Sequence, residues 1–479
     1  MPIYPSPVRK LSSALVVAIM LTSQFANAQT DANTASVWRV TSRLGFGPTE
    51  LTVRGAQQNP KAWATSQIEA AYAASQRPAS IPQDINRFNE PIGKIASDFR
   101  AEREARKNIK EQANPPKPGL MMANNAAEPT GFSREMTQTA AAWRLMSCSD
   151  PSIENPLLAR MTEFWFNHLN VFAGKGQVRP FVGHYVVNVI RPNALGKFED
   201  LLLASARHPA MLFYLDQAQS NVRGLNENYA RELMELHTLG VDAGYTQNDV
   251  RELARILTGW TVGLQQGEAF RFAERLHDSG DKTLLGKRYT SGGEREGEDA
   301  IRMLARHPAT AKRIARRLAN SFVSDKPPQA LVDQLAATFT RTQGDIRSVM
   351  RTLVESPEFW KADNTLFKTP LDFACSALTA GGGAKDRREI QLTLGFLASA
   401  GQPLHGWQTP DGYKTDAATW LAPEALTRRA DYAMALGSRM NEPTYLQPFL
   451  SATSRERIAL EQPGMRTGLM LASPDFMSK

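Results

Sequence analysis

The stretch Asn226–Trp260, NENYARELMELHTLGVDAGYTQNDVRELARILTGW, most narrows what this chain can fold into. Tyr229, Leu233 and Leu236 recur at i, i+4 and i+7, with Ala230 and Leu239 beside them, a helical and not a strand period. Glu227, Arg231 and Glu235 repeat at i+4 on the other side, flanked by Asn228 and Glu232. Asn226 is placed to cap this helix, and Glu227 suits its positive end. Gly240 and Gly244 bracket a turn, and Thr246 with Asp249 forms a variant capping box for a second helix. Val250, Leu253, Ala254, Ile256, Leu257 and Trp260 make its apolar stripe, with Arg251 and Arg255 on the polar side.

An acid-rich face followed by an arginine face admits two readings. One is a solvated surface with ion pairs worth a few tenths of a kcal/mol each. The other is an inward-facing polar cleft. There Glu227, Glu232 or Glu235 serves as acid or base, Arg231 and Arg255 tune it, and Asn228, Arg251 and Trp260 contact substrate.

The start of the chain reads as an export signal. Arg9 and Lys10 precede an apolar run over residues 11–21, and Ala26-Asn27-Ala28 is a cleavage site before Gln29. The run is short for a retained anchor, and no later stretch is apolar enough to span a bilayer. With no Arg-Arg pair ahead of the run, the expectation is the general secretory route, to the periplasm or outside. Cleavage leaves 479 − 28 = 451 residues, with 54 basic against 48 acidic side chains. This mild excess, without a basic stripe and interleaved aromatics, argues against a nucleic-acid partner. The two cysteines, Cys148 and Cys375, either pair in an oxidising compartment or are free and buried.

Elsewhere helical period dominates, so the expected fold is mostly α, a single large helical domain over 29–479. Residues 113–131, with four prolines, read as a flexible loop or arm. Residues 268–289 change to strand-like alternation around HDSGD and read as a small inserted β-hairpin. Its turn offers His277 and Asp278 as base or ligand and Lys282 as a substrate contact, although turns favour Asp, Ser and Gly for conformational reasons alone. A helix near 154–172 carries Leu157, Met161, Phe164, Trp165 and His168 on one stripe, so His168 is a core histidine by default, with a catalytic role as the alternative. Glu163 lies on the opposite flank as a second acid. Trp407, Tyr413 and Trp420 either line a cleft for a sugar ring or anchor their loop on the core. No haem, nucleotide or flavin signature is present. A divalent metal on the carboxylates with His237 or His277 is open, without supporting ligand spacing.

NENYARELMELHTLG and YTQNDVRELARILTGW resemble the bacterial family called "domain of unknown function 1800". So do SRLGFGPTE (42–50), MTEFWFNHLNVF (161–172), HPAMLFYLD (208–216), HDSGDKTLLG (277–286) and GQPLHGWQTPDGY (401–413). In the last, Leu404-His405 stands where many members have a second proline. The resemblance implies a secreted, predominantly helical bacterial protein, often encoded beside a second secreted protein that is a candidate partner. It implies no reaction. Two functions remain: a carboxylate-dependent hydrolase acting on an extracellular or envelope polymer, or a non-catalytic secretion or surface-assembly protein whose Glu–Arg network is structural.

Overall fold

The computed structural model describes residues 32–112, 131–363 and 365–479. The expected signal peptide, and all of the expected 113–131 arm but Gly131, lie outside them. Helix accounts for 65% of the described residues, which makes the fold mostly α, as the periodicity predicts. None of the described helices is long and apolar enough to cross a membrane.

Two hydrophobic clusters organise the packing. The larger draws on residues from Val37 to Phe359; the smaller is built mainly from Leu371 to Met477. Two helices serve both. In α1 (Phe132–Ser149), Met136, Ala140 and Trp143 face the larger cluster, while Ala142, Leu145 and Cys148 face the smaller. In α2 (Pro156–His168), Leu157, Met161 and Trp165 face the larger cluster and Ala159 the smaller. Full burial of each such large side chain contributes roughly 1.5–3 kcal/mol. Asn155 caps α2 by accepting from Leu157 N and Leu158 N, and Pro156 occupies the first turn, where its missing N–H is not needed. Cys148 and Cys375 are disulfide-bonded, which resolves the open alternative and ties α1 to a helix of the smaller cluster.

The central stretch forms two helical segments. The first, α3 (Asn228–Glu232), widens into a π-helical turn over Leu233–His237, and the Thr238 hydroxyl donates to Leu233 O at 2.6 Å. Asn226 does not cap it as expected. Its side chain accepts from Asn228 N in a local turn, and Glu227 takes the cap position without a side-chain bond. The second, α4 (Gln247–Ile256), starts with the expected Thr246/Asp249 capping box. It stops short of Trp260, however, which opens a strand.

The expected single hairpin over 268–289 is two. β1 (Trp260–Gly263) pairs antiparallel with β2 (Glu268–Phe272), and β3 (Lys282–Leu284) with β4 (Lys287–Tyr289). HDSGD is therefore a connection between hairpins. Gly259 lets the chain leave α4: its φ is 82°, and a Cβ there would lie 2.8 Å from Ala273 O. The tight β3–β4 turn has positive φ at both Leu285 and Gly286. Leucine is a poor residue for that conformation, so the turn carried only half of its usual sequence signal. Downstream, α5 (Glu294–Arg306) and α6 (Pro308–Phe322) continue the larger cluster, and α7 (Pro370–Ala380) carries Cys375.

Candidate functional site

The helical pair and the 277–282 turn do pack together, through charge. Arg255 donates to Asp278 at 2.7 and 3.2 Å and to Glu252 at 2.8 Å, while Glu252 also accepts from Thr283 N. The Arg255 bond, against the opposing effect of burial, holds the Asp278 carboxyl below its ordinary range, with Gly280 N–H adding to it. Deeper in, the Lys282 ammonium lies 2.6 Å from Glu296 and 3.4 Å from His277 Nε2. His277 Nδ1 bonds to Thr258 O. These groups fasten the second hairpin to α4 and α5.

Arg231 and Glu227 make a 3.1 Å pair that faces solvent, with side chains 39% and 32% exposed. Gln247 bonds to both. Arg251 is exposed, and Asn228 is half-buried with no side-chain hydrogen bond among the described residues. Trp260 is fully buried under the Arg207 guanidinium, edge-on to Phe270, as a core residue. His168 behaves as the expected core histidine. Its Nε2 bonds to His237 O at 3.0 Å and must donate, because a carbonyl only accepts. Burial, then Arg317, His237 and Arg313, push it well below the usual imidazole range, so it is neutral. Burial likewise lowers His237 to about 3.

Of the expected site residues, Glu163 lines a cavity of about 350 Å³. On one side stand α2 and α6, with Glu163, Asn167, Arg317, Asn320 and Ser321; on the other stand Leu371, Asp372, His405 and the loop residues Asp411, Tyr413 and Lys414. Its charges are mostly satisfied internally. Arg144 grips both oxygens of Glu163, one at 2.8 Å, and bonds to His405 Nδ1 at 3.2 Å. Asp372 is clasped between Arg160 and Lys479, and these two cations outweigh burial to keep its carboxyl well below the usual range.

The link between this cavity and α3 is Asp411. It accepts from Trp407 Nε1 at 3.0 Å, from the Thr409 hydroxyl at 2.6 Å and from Lys414 at 3.2 Å. Burial alone would raise its carboxyl; those bonds prevail and lower it. Its charge reaches Glu232, which is half-buried and has no hydrogen bond or ion pair among the described residues. Burial first, then Glu235 and Asp411, raise the Glu232 carboxyl against the opposing pull of Arg231. Glu235 is similarly half-buried and unbonded among the described residues, with Arg313 in electrostatic reach. Trp407 and Tyr413 stand with ring centroids 4.7 Å apart beside Asp411. Trp420 is buried and donates to Lys414 O, anchoring the loop. Among the described residues no three His, Cys, Asp or Glu side chains converge as a metal site.

Arg144, Arg317 and Asp411 were not singled out from sequence. Arg144 lies on α1, Arg317 on α6 and Asp411 in the 401–413 stretch. Only the fold brings residues 144, 163, 317 and 411 together.

A family model described as "protein of unknown function (DUF1800)" matches residues 39–478. No curated protein and no solved structure is matched by the chain.

Proposed function

Because this chain belongs to the DUF1800 family, whose description names no reaction, we propose a function from the site itself: carboxylate-dependent hydrolysis of a sugar-containing polymer, with Glu232 as acid and Asp411 as its ionised partner. One observation carries this reading. A half-buried Glu232, without a hydrogen bond or ion pair among the described residues, feels the charge of Asp411, a heavily hydrogen-bonded residue that lines the cavity beside the Trp407–Tyr413 pair. Two carboxyls whose surroundings drive their proton affinities apart are what acid–base hydrolysis uses. Glu232 would give its proton to the leaving bridge oxygen. Asp411 would stay charged opposite the cation that develops on the sugar, and water would complete the cleavage. The Trp407 and Tyr413 rings offer faces for sugar rings.

Activity then requires Asp411 ionised and Glu232 protonated. The rate should peak in acid, between the lowered Asp411 value and the raised Glu232 value, with Glu232→Gln losing the descending alkaline limb. Reducing-end release from a panel of polysaccharides is the test. Equal release by wild type, Glu232→Gln and Asp411→Asn, or none by wild type, refutes the proposal.

The non-catalytic reading applies to a different group. The full pairing of Arg255, Asp278, Lys282 and Glu296, away from the cavity, favours a structural role for them. Export to the periplasm or beyond is part of the proposal and is supported by the Cys148–Cys375 disulfide, a bond that persists in oxidising compartments.

A further inference from the structure

Five basic and five acidic side chains line the cavity: Arg144, Arg160, Arg317, Lys414 and Lys479 against Glu163, Asp325, Asp372, Asp411 and Asp416. Four of the five cations are engaged. Arg144 holds Glu163, Arg160 and Lys479 hold Asp372, and Lys414 holds Asp411. The fifth, Arg317, makes no hydrogen bond and no ion pair among the described residues, although it is half-buried. Burial first and Arg313 second lower it to about 10, so it is still a cation at neutral pH. One turn on along α6, Ser321 lines the same cavity with its hydroxyl unbonded among the described residues. Residues four apart on a helix share a face, so the guanidinium fork and the hydroxyl are offered to the cavity side by side.

We infer that Arg317, assisted by Ser321, recognises a carboxylate on the ligand, so that the polymer this cavity takes is a uronic-acid-containing one. A half-buried guanidinium with no hydrogen bond or ion pair among the described residues, helped only by the charge of Asp411, forgoes hydration for little return, whereas a planar carboxylate can take two of its N–H groups at once. The charge tally selects among anions. With five cations against five carboxylates the lining is already neutral, so one added negative charge is tolerated better than the two of a phosphate dianion. This rests on the same cavity as the proposed hydrolysis, but binding can be read without turnover.

The test is calorimetric titration of the purified protein with a uronic-acid trisaccharide, a neutral hexose trisaccharide of equal length, and inorganic phosphate. Wild type should prefer the uronate over the neutral sugar by about tenfold or more, the scale of one charged hydrogen-bonding pair. Arg317→Ala should erase that preference while leaving thermal stability unchanged or higher, because no internal partner is orphaned. Arg317→Lys should retain part of it. A structural arginine would behave oppositely, with Arg317→Ala losing stability. Equal affinity for both sugars, tighter binding of phosphate, no binding of any probe, or a preference that survives Arg317→Ala would each overturn the inference. Uronate selectivity lost in Arg317→Ala but without cleavage by wild type would sink the hydrolase reading alone. Cleavage confined to neutral polymers would sink this one alone.

Discussion

Replacing Lys282 by methionine isolates the most deeply buried charge pair near the second hairpin. Its side chain has 0% exposure and that of Glu296 has 3%, with Nζ and Oε2 2.6 Å apart. Methionine keeps much of the length and removes the charge. Glu296 then retains the Gly292 N–H at 2.6 Å and His277 at 3.6 Å, too little for a buried carboxylate. Breaking a buried pair from one side costs about 3–5 kcal/mol, two to four orders of magnitude in the folded-to-unfolded ratio. Changing both partners to methionine should recover most of this, because the penalty lies in the orphaned charge; the lost acceptor for Gly292 N–H leaves about 1 kcal/mol. Urea titration followed by tryptophan fluorescence on wild type, both single variants and the double variant gives the coupling. Hydrogen exchange over residues 277–289 should rise in Lys282→Met, since that ammonium holds β3 against α5. The reasoning fails if Lys282→Met costs under about 1 kcal/mol, or if the two single effects simply add in the double variant.

Arg231→Ala should cost no more than about 1 kcal/mol in the same titration, since its pair with Glu227 is partly exposed; a loss like that of Lys282→Met would contradict the surface placement. Asp278 is held below the ordinary carboxylate range by Arg255, so its contribution exists above that range and disappears as pH falls through its native value. Asp278→Asn should therefore be less stable than wild type at neutral pH and converge with it in strong acid. Cys148→Ser with Cys375→Ser removes a cross-link spanning 227 positions, worth at most about 5 kcal/mol in the chain-entropy model. Reduction of wild type should reproduce the drop in urea midpoint.

Local structure was legible where one segment decided it. The Thr246/Asp249 box, the Asn155-Pro156 start of α2 and the core placement of His168 follow from nearby residues and period. Two elements were not legible for the same reason. Trp260 continues the apolar stripe of α4, yet Gly259 turns the chain into β1, and Leu285 adopts a conformation that leucine rarely takes. Glu163 and Glu232 were readable as candidate acids from the face they occupy. Their partners were not: Arg144 reaches Glu163 across 163 − 144 = 19 positions and the charge of Asp411 reaches Glu232 across 411 − 232 = 179, and a lone arginine on a helix says nothing of what it meets.

The bond between Cys148 and Cys375 has a kinetic consequence. With two cysteines in the whole sequence, an intramolecular pairing has one possible outcome. An unfolded chain under oxidising conditions cannot cross-link itself wrongly, and needs a thiol oxidant but no disulfide-shuffling enzyme. Since the partners lie 227 positions apart, the cross-link also cannot close until residue 375 has been made. Its closure therefore fastens α1, whose other face packs on the larger cluster, to α7 within the smaller one.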